Sequence, residues 1–287
     1  MSNSINSDRF YFTEDTLPLI RKYTGSTFVV KYGGSAMKNK FLQMNVIQDL
    51  AFLYSLGIKI ILVHGGGYLI NSWLRKLNIE PKFEQGLRVT DANTIEVVEM
   101  VLSGYINKKL ISLLNQSQIP SVGLSGKDGN LVTVLPLSSN SQNLTGKISS
   151  INNNILITLL DSKFFPVVSS VASDTTGQTY NINADTLASS IASSVNADKL
   201  ILLTDTPGIL YDINDVSSLV KMANLDKIYS LKSNGVITGG MIPKIDCCID
   251  ALNGKVPAVH IIDGRVRYSL LYEVLTNNRL GSMLVAR

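Results

Sequence analysis

Residues 27–67 read TFVVKYGGSAMKNKFLQMNVIQDLAFLYSLGIKIILVHGGG, and the fold class follows from this stretch. TFVVK (27–31) and KIILVH (59–64) are short apolar runs rich in β-branched residues, each followed by a glycine cluster. Between them, residues 40–56 carry a helical pattern. Strand, glycine turn, helix and second strand make a βαβ unit, the building block of a parallel sheet. The alternation continues along the chain. Helices are predicted over 68–77, 91–116, 184–195, 242–252 and 268–275, the longest with apolar residues at 95, 98, 101, 102, 106 and 110. Strands are predicted near 121–124, 131–135, 166–171, 200–204 and 258–262, with hairpins and loops over the Ser- and Asn-rich residues 136–154. Such a pattern predicts an α/β fold with a mostly parallel sheet covered on both faces.

Composition narrows the function classes. The chain has 287 residues, 45% of them hydrophobic and 17% charged, which is ample for a sizeable core and excludes intrinsic disorder. Mean hydropathy is high at +0.19, yet no apolar run reaches the roughly 18–20 residues of a spanning helix, so no membrane role is expected. The net charge of +4 is too weak to argue for nucleic acid and is compatible with phosphorylated ligands. Two histidines, His64 and His260, and the adjacent Cys247 and Cys248 argue against a metal site or a disulfide framework and fit a reducing compartment. His260, inside an apolar run, reads as a satisfied core histidine. Residues 1–12 lack the features of a secretory signal or transit peptide and read as a mobile tip. Residues 13–23 read as a short helix ahead of the first strand, either docked on its own domain or making an oligomer contact.

The glycine clusters carry the chemistry. Lys31-Tyr32-Gly33-Gly34-Ser35 and His64-Gly65-Gly66-Gly67 lie at strand ends, where open α/β sheets bind ligands. Exposed glycine amides cradle anions, and a lysine adds a point charge; the alternative is a plain glycine turn with a solvated lysine. Gly86-Leu87-Arg88-Val89-Thr90-Asp91 offers a guanidinium for a carboxylate, or a solvated helix cap. Asn181-Ile182-Asn183-Ala184-Asp185 reads either as helix capping or as a substrate amide and a carboxylate set between two ammonium groups. Gly239-Gly240-Met241-Ile242-Pro243-Lys244 is a second Gly-Gly-plus-Lys cradle opening a helix, and Thr204-Asp205 closes another strand. A hydrolase would need G-x-S-x-G, but Gly123-Leu124-Ser125-Gly126-Lys127 breaks that pattern. P-loop and dinucleotide fingerprints are also missing. Two lysines, three glycine clusters and one acidic organiser suit phosphoryl transfer, where the protein positions groups and neutralises charge.

In combination and order, VKYGGSAM, LVHGGG, GLRVTD, GLSGKDG, YNINADT, LLTDTPGIL, GGMIPK and HIIDGRV resemble the amino acid kinase family, from about residue 17 to the C-terminus. The resemblance is nearest to the members that phosphorylate N-acetyl-L-glutamate. It implies a three-layer αβα sandwich of about eight mostly parallel strands. Residues 1–24 would be an extension with an oligomerisation helix, 25–195 the amino-acid lobe, and 196–287 the ATP lobe. It also implies transfer of the γ-phosphoryl group of ATP to the side-chain carboxylate, with Mg²⁺ carried mainly by the nucleotide. Lys31 and Lys244 would stabilise the transferring group and Asp185 would hold both. Gly66, Gly67, Arg88 and Asn181 would bind the amino acid; Gly33, Gly34, Gly65, Thr204, Asp205, Gly239 and Gly240 would lie near the phosphates and nucleotide. Arginine-inhibited members carry an extra N-terminal helix that interlaces dimers into a hexamer. Residues 13–23 resemble that helix, and Tyr23, Tyr268, Glu273 and Gly281 would form the L-arginine site, with Tyr268 where that group often has His. The wording of the chain is nearest cyanobacterial and plastid members, whose partner is the signal protein PII; a plastid stroma or a bacterial cytoplasm follows. The alternatives are a sibling kinase acting on glutamate, aspartate, carbamate or UMP, or a non-catalytic amino-acid-sensing scaffold. GLRVTD and YNINAD separate the first, and intact Lys31, Asp185 and Lys244 oppose the second.

Overall fold

Six of the seven strands that the sequence predicts come together in one sheet, and the seventh, over 131–135, belongs to a smaller one. A computed structural model describes residues 9–84, 86–137 and 142–287; residues 1–8 of the expected mobile tip and 138–141 of the Ser- and Asn-rich stretch lie outside these. The elements in chain order begin with α1 (Thr16–Tyr23), β1 (Thr27–Tyr32), α2 (Lys40–Ser55), β2 (Lys59–His64) and α3 (Gly67–Lys76). A short hairpin, β3 (Lys82–Glu84) and β4 (Leu87–Val89), precedes α4 (Ala92–Glu99), a π-helical segment (Met100–Ile106) and α5 (Asn107–Gln116). Then follow β5 (Ser121–Ser125), β6 (Val132–Pro136), β7 (Gly146–Ile151), α6 (Asn154–Asp161), β8 (Phe165–Ser169), β9 (Val171–Ser173) and β10 (Thr179–Asn181). The chain closes with α7 (Ala184–Ser194), β11 (Lys199–Thr204), β12 (Met222–Asn224), α8 (Leu225–Ser233), α9 (Met241–Asn253), β13 (Ala258–Asp263), α10 (Ser269–Leu275) and β14 (Ser282–Val285).

The main sheet has eight strands in the order β12-β14-β13-β11-β1-β2-β8-β5. The pairings from β13 through β5 are parallel, and β13 meets β14 antiparallel. β1 and β11 are neighbours, Phe28 opposite Lys199, so one sheet crosses the boundary between residues 195 and 196. Side chains alternate between two cores, as period-two strands require. Val29, Ile61, Val63, Leu200 and Leu202 face one core with α6, α7, α8 and α9; Phe28, Val30, Ile60, Leu62 and Ile201 face the other with α2, α3, α4, α5 and α10. Helices on both faces make the αβα sandwich. A four-stranded sheet, β10-β9-β6-β7, and the β3–β4 hairpin sit beside it.

Local chemistry sets the helix starts. Asn39 accepts from the amides of Phe41 (2.8 Å) and Leu42 to cap α2, and Asp91 accepts from Thr94 (2.8 Å) to cap α4. The long helix predicted over 91–116 forms over 92–116 but contains the π turn, which its apolar spacing does not announce. The hairpin β3–β4 and helices α6 and α8 are further additions. α1 places Ile20 and Tyr23 against the core and leaves Leu17 exposed. Among the described residues no helix is long and apolar enough to cross a membrane.

Candidate active site

Three chain-distant elements converge on one carboxylate. Lys31 stands near the end of β1, Asp185 in the first turn of α7 and Lys244 in the first turn of α9. Lys31 Nζ lies 2.9 Å from Asp185 Oδ1, and Lys244 Nζ lies 2.6 Å from Oδ2. Burial alone would raise the Asp185 carboxyl, but the two ammonium groups outweigh it and hold it well below the usual carboxylate range. The neighbouring asparagine divides the labour. Asn183 caps α7, accepting from the amides of Asp185 (2.8 Å) and Thr186 (3.1 Å). Within the YNINAD motif the capping falls to Asn183 and the carboxylate between two ammonium groups is Asp185.

Beside this bridge lies a cavity of about 230 Å³ lined by Lys31, Gly33, Gly34, Gly65, Gly66, Gly67, Arg88, Asn181 and Asp185 among others. At three of these glycines, Gly33, Gly34 and Gly66, a side chain would crowd its neighbours. A Cβ on Gly33 would come 2.8 Å from Lys31 Nζ, and one on Gly34, at φ +71°, would meet the Asp205 carboxylate. Gly66 is the N-cap of α3, whose first amides have no carbonyl of their own helix to meet. Arg88, on β4, is 8% exposed and its guanidinium lies over the Phe83 ring at 4.8 Å. Its Nη2 donates to Asn71 Oδ1 (2.6 Å) and to the Gly67 carbonyl (3.3 Å), while the buried Nη1 has no hydrogen-bond partner. Burial lowers its pKa. A buried, oriented donor without a partner at a cavity wall suits an anionic ligand group. Asn181 Nδ2 donates to Thr90 Oγ1 (3.2 Å) on the same wall.

The residues expected near the nucleotide spread around the rim. Gly239, at φ +53°, and Gly240 open α9 with free space at both Cβ positions and line a larger cleft with Asn183 and Thr186. Asp205 abuts Gly34, whereas the Thr204 hydroxyl donates to the Thr206 carbonyl (2.8 Å) and accepts from its amide, shaping the turn after β11. Beyond that turn lies a separate cavity of about 520 Å³ whose lining includes Gly208, Ile209, Leu210, Tyr211, Val236 and Thr238. It is apolar enough for a flat heterocycle, and the sequence reading missed it. Asn71 and Phe83, which hold Arg88, were missed too, because neither belongs to a motif. Among the described residues no group of three or more His, Cys, Asp or Glu side chains gathers as a metal site. The donor set of two ammonium groups, one carboxylate and glycine amides fits a polyphosphate chain.

The four residues expected to form an effector site fall into two places. Tyr23, Glu273 and Gly281 surround a buried chain of polar contacts. Lys199 Nζ lies 2.9 Å from His260 Nε2 and 4.9 Å from the centre of the Tyr23 ring; His260 Nδ1 lies 2.7 Å from Glu273 Oε1. The other Glu273 oxygen accepts from the amides of Leu280 (3.0 Å) and Gly281 (2.9 Å). Burial lowers the pKa of Lys199 to about 8 and that of His260 to about 4. A neutral imidazole thus donates from Nδ1 to Glu273 and accepts the Lys199 ammonium at Nε2. His260 is the satisfied core histidine of the sequence reading, and it also joins this chain. Tyr268 stands apart at the N-cap of α10, its ring 6.4 Å from that of Phe10 and 4.9 Å from the Arg267 guanidinium.

The chain is similar in sequence and fold to known proteins. An acetylglutamate kinase of Gracilaria tenuistipitata var. liui is 55% identical over 98% of this chain and 99% of its own. One from Thermosynechococcus vestitus is 50% identical over 98% of this chain and 95% of its own. Among solved structures, N-acetylglutamate synthase from Neisseria gonorrhoeae, complexed with coenzyme A and N-acetyl-glutamate, superimposes with a TM-score of 0.84 at 24% identity. That match covers 95% of this chain, which spans 62% of the synthase chain, and it speaks for the fold alone. A profile of the amino acid kinase family matches residues 26–263. The chain belongs to the amino acid kinase family.

Proposed function

We propose that the chain transfers the γ-phosphoryl group of ATP to the side-chain carboxylate of N-acetyl-L-glutamate, a step of arginine biosynthesis. The observation that carries this is the Lys31–Asp185–Lys244 bridge at the mouth of a small cavity with an unpaired Arg88 donor. Relatives at 50–55% identity over nearly the whole chain support the choice of substrate. The amino acid's α-carboxylate pairs with Arg88, and Asn181 with the Gly66 and Gly67 amides fixes the rest of it. Its side-chain oxygen attacks the γ-phosphorus, the bond to the β-bridging oxygen breaks, and ADP leaves with that electron pair. Lys31 and Lys244 neutralise the charge spread over the phosphoryl oxygens, and Asp185 keeps both pointing at them. Magnesium enters as part of the MgATP substrate. Residues 25–195 serve the amino acid and 196–287 the nucleotide, whose base takes the cavity beside Tyr211 and whose phosphates approach Gly33, Gly34, Asp205, Gly239 and Gly240.

A coupled assay of ATP consumption tests the reading with N-acetyl-L-glutamate, glutamate, aspartate, carbamate and UMP. Turnover with the first alone is expected, with Lys244→Ala losing about 10²–10³ in kcat. Preference for another acceptor, or a folded Lys244→Ala variant at normal kcat, refutes it.

Feedback inhibition by L-arginine is the second part of the proposal, supported by the buried Lys199–His260–Glu273 chain beside Tyr23. Lys199 offers a cation for the effector's carboxylate and Glu273 an anion for its guanidinium. α1 is the element that would join dimers into a hexamer, and PII is the expected protein partner, in a plastid stroma or a bacterial cytoplasm. Unchanged activity at millimolar arginine, a dimer by sedimentation, or no PII complex under any effector condition would each remove its part.

A further inference from the structure

β2 ends on His64, and the next three residues are the glycines that line the small cavity. The phosphoryl-transfer scheme leaves His64 unused, although it is fully buried. Both ring nitrogens are held. Nδ1 lies 3.1 Å from the Gly65 carbonyl oxygen, and Nε2 lies 3.2 Å from the side-chain nitrogen of Asn107. That same nitrogen lies 2.9 Å from the Val167 carbonyl and 3.4 Å from that of Leu124. Carbonyl oxygens only accept, so the group facing them is the NH₂ of Asn107 and not its oxygen. The NH₂ has two hydrogens, which go to the two nearer acceptors, the Val167 carbonyl and Nε2, so Nε2 is the unprotonated nitrogen of a neutral ring. Burial keeps the ring neutral, with its pKa lowered to about 4. The ring's one proton sits on Nδ1 and is donated to the Gly65 carbonyl.

That carbonyl belongs to the same planar peptide unit as the Gly66 N–H, and the two point in opposite directions. Fixing one aims the other. The helix that supplies Asn107 is the one containing the π segment, whose Leu102 and Ile106 press on the same peptide. A Cβ on Gly66 would come 2.1 Å from Ile106 Cδ1 and 2.9 Å from Leu102 Cδ2. π turns inside α-helices often mark functional sites. Here Leu102 lines the cavity beside the glycines, while Ile106 and Asn107 are buried against the same loop.

We propose that Asn107 and His64 are positioning residues for the amino-acid cradle: Asn107 sets the tautomer of His64, whose Nδ1–H holds the Gly65–Gly66 peptide with the Gly66 amide facing the substrate. This rests on the phosphoryl-transfer reading of the cavity and adds a layer behind it. Nitrogen NMR of the histidine-labelled full chain tests it directly, because the chain has two histidines and a His64→Asn variant assigns the signals. A neutral His64 ring protonated at Nδ1 at neutral pH is expected; a proton on Nε2, or on both nitrogens, overturns the proposal. Kinetics supply the second test. His64→Phe removes the donor, whereas His64→Asn returns an amide N–H near the place of Nδ1. His64→Phe is expected to raise KM for N-acetyl-L-glutamate about tenfold, the effect of one buried hydrogen bond, with KM for ATP unchanged and His64→Asn restoring most of the loss. An unchanged KM in His64→Phe, or equal losses toward both substrates in both variants, overturns it. Turnover of N-acetyl-L-glutamate by the unsubstituted chain, measured first, separates failure of this role from failure of the reaction assignment.

Discussion

Replacing Asp185 by asparagine keeps the shape of the bridge and removes its charge. Asp185 contacts Lys31 at 2.9 Å and Lys244 at 2.6 Å, with all three side chains between 13% and 16% exposed. At an effective dielectric near 20, each contact is worth roughly 6 kcal/mol before desolvation is counted. Desolvation consumes much of that, and breaking a largely buried pair typically costs about 3–5 kcal/mol net. In Asp185→Asn two ammonium groups stay crowded together with no counter-charge. Stability without ligand should therefore fall by about 3–5 kcal/mol, a Tm loss on the order of 10 °C. Nucleotide changes the sign of the local balance, because its phosphates return negative charge to both lysines. Saturating MgADP should thus stabilise the variant more than it stabilises the unsubstituted protein.

The catalytic effect follows from the same geometry. With the carboxylate gone the lysines separate, and their aim at the phosphoryl oxygens is lost. A fall in kcat of about 10²–10³ is expected, the range for removing one preorganised charge stabiliser. Urea denaturation with and without MgADP measures the first effect, and the coupled ATP assay the second. A variant within about 1 kcal/mol of normal stability and with undiminished kcat would show that Asp185 does not organise the lysines.

Three further perturbations probe other parts of the molecule. Arg88→Lys exchanges a forked donor with a free Nη1 for a point charge; KM for N-acetyl-L-glutamate should rise about 10- to 100-fold with kcat little changed, and an unaltered KM would remove Arg88 from carboxylate binding. Gly281→Ala places a Cβ 2.3 Å from the Ile261 carbonyl oxygen; the backbone must shift, so denaturation should reveal a loss of about 1–3 kcal/mol, and normal stability would contradict the packing. Asp49, on α2, faces the backbone amides of Leu270 and Leu271 at the start of α10, and burial raises its pKa to about 8. A folded-state pKa above the unfolded value means that the native state binds the extra proton. The stability this contributes is complete below pH about 4 and lost as pH rises through about 8. Asp49→Asn removes that dependence, so its stability relative to the unsubstituted chain should climb by up to about 5 kcal/mol over that range. His64 and His260, lowered to about 4, act in the opposite direction but are common to both proteins and cancel in the difference. Parallel pH–stability curves would refute the role given to Asp49.

What the sequence reveals and what it hides divide along a physical line. The βαβ pattern is legible because β1, β2, β8 and β11 are buried on both faces, which writes near-continuous apolar runs into the chain. The hairpin β3–β4 leaves no such mark: Lys82, Phe83 and Glu84 are all exposed, so no alternation records the strand. α6 is hidden differently. Its NILITLLD is as β-branched as a strand, and helicity is decided by Leu156 and Leu160 packing into the core. The π turn is silent because Ile95, Val98, Val101, Leu102, Ile106 and Leu110 are all buried, as an ordinary helix face would be.

The same division runs through the site. The glycine turns and the Asn183 cap are features of their own local backbone, so their spacing announces them, and Lys31 and Lys244 are announced by the glycine pairs beside them. Arg88 is announced by a motif, but its orientation comes from Asn71 and Phe83, single side chains that mean nothing until α3 and the hairpin meet. Lys199 and His260 are hidden most thoroughly. A lysine opening an apolar strand is an ordinary strand end, and a histidine in another is an ordinary core residue. Only the register of β11 against β13, with Ile201 opposite His260, puts the Lys199 ammonium on the imidazole. The one sequence signal was a pair of ionisable residues inside strands otherwise built of Val, Ile and Leu. Burying such groups is costly unless they are paired, so finding either one is a reason to look for the other. His64 obeys the same logic: a neutral ring beside a glycine turn needs a donor at its far nitrogen, and Asn107 supplies it from a helix more than forty residues away in the chain.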